Sequence, residues 1–434
     1  SSGVIWSFIL NGTIALVGII RAKYLAITFG AAAVGLLSQV FQLQLISLSI
    51  GSLALVNGIV AGLSKSETEE EKSKILSTAF WLQLTCSVVL SAVVIILAKP
   101  FSIFAFGSDE YSHLVIITMI GVPFVVLANH QLQAVFFANN GFDWLNKVMI
   151  VVNITNLLLF FILVEIWSVD GAVSTVTTLA IIQFVFFLFA VRRYRSFKNI
   201  FGWLWDKKTA FYLITFATTS LSTYLLIYGG NFLIRRKVIH ELGLEENGIL
   251  QVPISLSMYY VPLISWVLWG KVYPVLVKEQ LTAADNFKSI LNRSLWAFVL
   301  MATIIILFKK YIVLILLSND FLPALPLISN YLLGDLFFII CTIYGAYLMA
   351  LHRLKAYLIG HVIFISIYLI GVYYFLPSYG LLAVPYSFIA AGVTTFLFLM
   401  IYMAKNLRQL VSIRVFSTIT SAILIIFTLG YWFN

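Results

Sequence analysis

The chain has 434 residues, of which 62% are hydrophobic and only 10% charged, with a formal net charge of +10 at neutral pH. A mean hydropathy of +1.03 excludes an ordinary soluble protein, whose core cannot absorb so much apolar surface. The basic surplus does not point to nucleic acid, because it recurs at alternate connections instead of forming one patch.

A helix needs about 20 apolar residues to cross the roughly 30 Å of hydrocarbon in a bilayer. The first six runs of that kind lie at 5–29, 33–62, 76–98, 112–137, 146–165 and 171–191. A polar connection follows, Arg192 to Lys208, with the densest basic cluster of the chain. Six more runs lie at 209–238, 247–276, 289–308, 323–350, 356–376 and 381–403, and a further apolar segment at 415–433. No cleavable signal peptide is recognisable. The expected organisation is a six-helix lobe (1–198), a cytoplasmic linker (199–208), a second six-helix lobe (209–404) and an extra C-terminal segment (405–434). The prediction is an all-α polytopic membrane protein with two lobes around a central cleft.

Orientation follows from the basic residues. A cytoplasmic N-terminus puts Lys65, Lys72, Lys74, Lys147, Arg192, Arg193, Lys207, Lys208, Arg353, Lys355 and Arg408 inside, as the positive-inside rule requires. The halves also carry a local match. Gly30 and Gly35 in the first correspond to Gly243 and Gly248 in the second, five apart in each copy. A basic residue, Lys23 or Arg236, stands seven positions before the first glycine of each pair. Duplicated six-span halves are a known transporter architecture.

Charges inside the runs are the candidate functional groups. Arg21 lies about 12 Å from the outer end of the first run at 1.5 Å per residue. A basic group at such depth costs on the order of 3 kcal/mol unless it meets water or a partner. Arg21 and Lys23 either line a wet cavity or snorkel to the outer headgroups. Arg235, Arg236 and Lys237 close the seventh run, where they either bind an anion or cap helix carbonyls. Lys271 sits near the inner end of the eighth run, as an entrance residue or a headgroup anchor. Asp335 stands near the middle of the tenth run, the one carboxylate deep in any run. It must be protonated, paired or wet, and as a functional group it would bind a coupling proton or cation.

Softer polar residues such as Gln39, Gln42, His130, Gln131, Asn156 and Gln251 read as hydrogen-bonding glue between helices. Tyr259, Tyr260, Trp266 and Trp269 either stack on sugar rings or pack. Cys86 and Cys341 have no metal-ligand spacing. No metal cluster, phosphate-gripping glycine loop or nucleophile elbow stands in the sequence. Neither an enzyme, nor a catalytic residue, nor a cofactor is therefore expected.

Three stretches then carry a resemblance: Leu25-Ala-Ile-Thr-Phe29-Gly30 followed by Gly35-Leu36; Gly334-Asp335 followed by Tyr344-Gly345-Ala-Tyr347-Leu; and Leu376-Pro377-Ser-Tyr-Gly380-Leu-Leu-Ala383. In this order they resemble the Wzx-type polysaccharide repeat-unit flippases, which share a superfamily with the multidrug and toxin extrusion antiporters and the lipid II flippase. The resemblance implies a protein of the bacterial inner membrane acting in O-antigen or other polysaccharide assembly. It implies transfer of an undecaprenyl-pyrophosphate-linked glycan to the outer leaflet by alternating access, among membrane lipids and other polysaccharide-assembly proteins. Arg21, Lys23, Arg235, Arg236, Lys237 and Lys271 would then hold the substrate and Asp335 the coupling ion. The rival expectation is a cation-coupled antiporter of small organic cations. The segment after Arg414 departs from a twelve-helix pattern, and the sequence leaves open whether it crosses the membrane or lies along it.

Overall fold

The computed structural model describes residues 2–139, 141–193, 202–267, 284–351, 353–406 and 413–432, all helical or in short connections, with no strand among them. Seven described segments are long and apolar enough to span a membrane. Those at Ile5–Lys65, Phe142–Val191 and Leu354–Ala404 have 61, 50 and 51 residues, at least twice the ~20 needed for one crossing. Each is therefore a pair of crossings. Their corners are Gly30 (φ 72, ψ −169), Ser168 (φ 52, ψ −128) and Gly380 (φ 54, ψ −144), which fall in the gaps between the runs expected from sequence. All three corners use the positive-φ region that glycine enters freely and other residues enter at a cost. Ser168 is the exception in residue type.

In chain order the helices are α1 (Ser2–Ser52), α2 (Val56–Lys65), α3 (Glu69–Ile96), α4 (Ala98–Phe106), α5 (Ser112–Val126), α6 (Gln133–Ala138) and α7 (Phe142–Val191). They continue as α8 (Lys207–Leu242), α9 (Leu244–Val267), α10 (Ala284–Leu316), α11 (Leu325–Ala350), α12 (Leu354–Tyr379), α13 (Ala383–Asn406) and α14 (Ile413–Trp432). A π-helical turn at Leu127–Leu132 joins α5 to α6. The acid-rich stretch before α3 is a helix start: the Thr68 hydroxyl accepts from the Glu71 amide, and the Glu71 carboxylate accepts from the Glu67 amide. This reciprocal cap satisfies amides that have no partner within the helix.

The chain forms two compact units, Ser1–Leu25 with Leu36–Phe232, and Ala26–Gly35 with Leu233–Asn434. In the first, α7 folds back on itself at Ser168. A Cβ at Gly171 would lie 1.9 Å from the Leu163 carbonyl oxygen, so only glycine permits this approach. The connection into α8 is strapped to α3. Trp81 Nε1 donates to the Gly202 carbonyl (2.9 Å), the Leu204 amide donates to Ser77 Oγ (3.0 Å), and the Asp206 amide donates to Thr78 Oγ1 (3.2 Å). Asp206 then caps α8 by accepting from the amide (2.8 Å) and hydroxyl (2.6 Å) of Thr209.

In the second unit Ile234, Val238, Leu250, Tyr331, Tyr368, Val372 and Phe388 form a buried core. Helix α14 packs along α10. Thr418 Oγ1 donates to Asn292 Oδ1 at 2.8 Å, and Gly430 abuts Ser329, which receives Nζ of Lys309 at 2.8 Å. Both helices thus run in the same direction. Ile419, Ala422 and Ile426 are buried while Leu424, Phe427 and Tyr431 are exposed, giving one packed stripe and one apolar face suited to lipid. The apolar part of α14, Ser417–Trp432, is shorter than the seven described segments long and apolar enough to span a membrane.

Candidate functional site

Arg21, in the first half of α1, is half-buried. Its Nη2 donates to Asn156 Oδ1, and its guanidinium carbon lies 5.4 Å from the centroid of the Phe160 ring. Nε is buried and meets no acceptor. Asn156 is itself completely buried, and its Nδ2 donates to the Thr175 carbonyl at 3.2 Å across the α7 hairpin. Tyr24 meets Phe160 and Phe161 edge-on at 5.8 and 5.2 Å. The partners described for Arg21 are an amide and an aromatic face, with no carboxylate among them.

The duplicated glycines meet within the second unit. Gly30 and Gly243 both have positive φ, and Gly35 packs against Gly248. A Cβ at Gly35 would lie 2.0 Å from the Leu244 carbonyl oxygen, and one at Gly248 would lie 1.9 Å from that of Ala31. Such glycine-to-glycine contact lets two membrane helices cross at close range. Asn247 completes the crossing by donating to the Gly35 carbonyl at 2.7 Å.

Arg235 is 2% exposed. Its Nη1 donates to Asn247 Oδ1 at 3.0 Å and its Nη2 to Gln251 Oε1. It is therefore tied into the glycine crossing. Lys237 pairs with Glu241 one turn on and stands over the Tyr373 ring at 5.1 Å. Lys23 and Arg236 are half-buried and make contacts of their own. Lys271 and Trp269, with the side chain of Trp266, lie outside the described residues.

Asp335 is 2% exposed on α11. Its Oδ2 accepts from Ser257 Oγ and Tyr260 Oη of α9. Of the three solutions expected for this carboxyl, neither pairing with a basic residue nor open water is what the described residues supply. Two hydroxyl donors hold it instead. Tyr260, a candidate sugar-stacking ring from sequence, is 6% exposed and packs on Phe298, and its hydroxyl serves Asp335. One turn before Asp335, the Tyr331 hydroxyl meets that of Tyr368 at 3.1 Å.

The structure thus gathers Arg21 with Asn156, Arg235 with Asn247 and Gln251, and Asp335 with Ser257 and Tyr260. Sequence reading found the charges and missed most of the partners' roles. Asn156 and Gln251 were visible as polar residues in apolar runs, whereas nothing in the sequence tied Ser257 to Asp335. His130 is 8% exposed within the π-helical turn and its Nδ1 has no partner. No group of three or more His, Cys, Asp or Glu side chains capable of holding a metal occurs among the described residues.

No protein-family model matches the chain. It is 22% identical over 337 residues to a Lipid III flippase of Escherichia coli (strain K12), covering 76% of this chain and 80% of that protein, and equally to one of Shigella flexneri. Among solved structures it is similar to the lipid II flippase MurJ in an inward closed conformation, with a TM-score of 0.73 at 17% identity, covering 99% of this chain and 97% of that one. It is also similar to an inward-facing multidrug resistance MATE family transporter of the MOP superfamily, with a TM-score of 0.71 at 15% identity, covering 93% and 99%. The chain is an all-helical, multi-pass membrane protein with the fold of MOP-superfamily transporters. The proteins it resembles are flippases and transporters, not enzymes.

Proposed function

We propose that this protein is a flippase that moves an undecaprenyl-pyrophosphate-linked oligosaccharide from the cytoplasmic to the outer leaflet by alternating access. In this reading it sits in a bacterial inner membrane with its N-terminus cytoplasmic, and acts beside other polysaccharide-assembly proteins. The single observation that carries the reading is the state of Arg21: a guanidinium at membrane depth, held by an amide oxygen and a ring face. A pyrophosphate is a multiply charged anion that hydrocarbon excludes, and a guanidinium matches it with paired charge-assisted hydrogen bonds. The lipid tail can remain in the bilayer while the headgroup passes. The similarity to a Lipid III flippase over most of both chains supports a lipid-linked cargo.

Lys23, Arg235, Arg236, Lys237 and Lys271 are assigned supporting roles in attracting the anion, with Arg235 acting through its amide network. Asp335 is assigned the coupling proton or cation, because its carboxyl is buried among hydroxyl ligands. That same carboxyl, together with the MATE-like fold, favours the second reading, an antiporter of small organic cations. The deciding measurement is a leaflet-resolved assay in reconstituted vesicles with lipid-linked glycans and with an organic cation dye. Arg21→Ala should abolish glycan transfer at unchanged protein level. Retained glycan transfer in that variant, or uptake of the dye alone by the parent, rejects the flippase reading.

A further inference from the structure

A guanidinium offers five N–H donors in one rigid plane. In Arg21 one of them goes to Asn156 Oδ1, the Nε–H is buried with no acceptor, and one face is covered by Phe160. The orientation of Asn156 is set from the other side. Its amide nitrogen donates to the Thr175 carbonyl, so its oxygen must face Arg21. An aspartate of the same shape would turn two acceptors on Thr175 and Arg21. It would lose the bond to the carbonyl and convert the contact with Arg21 into an ion pair. Asparagine alone of the two isosteres can grip both groups without neutralising the cation.

From this we infer that Asn156 is a positioning residue of the anion site, a neutral clamp that aims the Arg21 guanidinium and leaves its positive charge available to a diphosphate. The inference rests on the reading of Arg21 given above, and it explains why a cation at membrane depth is provided with an amide partner. A carboxylate partner would make Arg21 cheaper to bury, since the pair would balance its own charge. It would also silence the site, because a second anion would then meet a neutral pair.

The test uses the purified full chain in detergent, with inorganic pyrophosphate and, in parallel, farnesyl pyrophosphate as probes. Binding is measured over a range of salt concentrations on samples first shown to be folded by thermal melting. Asn156→Asp should weaken both probes on the order of 100-fold, the scale set by one compensated unit charge in a protein environment. It should also flatten the salt dependence. Asn156→Leu removes the acceptor but adds no charge, so about a 10-fold loss with the parent's salt dependence is expected. A purely structural residue would change melting without changing the salt dependence of the folded fraction.

Parent-like pyrophosphate affinity in Asn156→Asp, while Arg21→Ala abolishes binding, overturns the clamp and leaves the anion site standing. Parent-like binding in Arg21→Ala overturns the anion site itself. A loss seen only with farnesyl pyrophosphate also overturns the clamp, since Asn156 would then act on the lipid and not on the diphosphate. Should Asn156→Asp not fold, Asn156→Leu decides, and parent affinity there sinks the proposal.

Discussion

The Gly35–Gly248 crossing makes the sharpest demand on side-chain size, and Gly35→Ala tests it. The added methyl would sit 2.0 Å from the Leu244 carbonyl oxygen and 2.8 Å from the Gly248 nitrogen. Both obstacles are backbone, so no rotamer change relieves them. Restoring a 3.4 Å contact with the oxygen requires the two helices to separate by about 1.4 Å. Overpacking of this kind costs about 1–3 kcal/mol. The separation also stretches the 2.7 Å bond from Asn247 to the Gly35 carbonyl, worth about another 1 kcal/mol. The total, about 2–4 kcal/mol, should appear as a clear drop in melting temperature of the purified protein. Gly229→Ala is the control, since a Cβ there meets nothing within 4 Å, and it should melt with the parent. Because Asn247 also accepts from Arg235, Gly35→Ala should additionally loosen the buried arginine. A Gly35→Ala protein that melts with the control would refute the close crossing.

Three further outcomes follow from the geometry. Ser168→Gly places glycine at φ 52, ψ −128, where its relatives at the other two corners are already glycine, and should stabilise the protein by about 1 kcal/mol; a lower melting temperature contradicts the strained corner. A crossing α14 would place a cysteine introduced at Trp432 on the same side of the membrane as one at Lys310, because α14 runs parallel to α10; labelling by a membrane-impermeant thiol reagent from the opposite side rejects the crossing. The Asp206 carboxyl is held below its usual range by hydrogen bonds from the Thr209 hydroxyl and amide, so the cap it forms is present above the unfolded carboxyl value and is lost as pH falls through the lower folded value. Hydrogen exchange at the Thr209 amide should therefore show protection that disappears on acidification in the parent and is absent throughout in Asp206→Ala; identical exchange in both would remove the cap.

Much of the architecture was legible because the bilayer imposes a length. Runs ending at Phe29, Glu165 and Leu376 stop one to four residues short of the observed corners at Gly30, Ser168 and Gly380, since apolar length and turn chemistry point to the same place. The Gly30/Gly35 and Gly243/Gly248 match was legible as a repeat. That Gly35 and Gly248 would pack on each other was not, because spacing within each copy says nothing of contact between copies. The fate of the last apolar segment was equally hidden. Its packing on α10 rests on a stripe of buried residues, and a hydrophobic count is the same for a helix that spans and one that lies flat.

The candidate site divides along a different line. Charged residues at membrane depth announce themselves, because every one of them is costly and needs a reason. Their partners do not, because an asparagine, a serine or a tyrosine in a membrane helix costs little and usually bridges helices. The functional information lies in those partners. Four ion pairs among the described residues, Lys72 with Glu69, Lys74 with Glu70, His113 with Asp170 and Lys237 with Glu241, join helix ends or outer residues. Arg21 and Asp335, the cation and the carboxyl at membrane depth, take an amide and two hydroxyls instead. A chain built only for stability would pair or delete such charges, since a buried charge without an opposite partner is a standing cost. For Arg21, a neutral partner holds the guanidinium in place while its charge stays open to the anion proposed above. That arrangement is what a carrier needs if it must bind an ion in one state and release it in another.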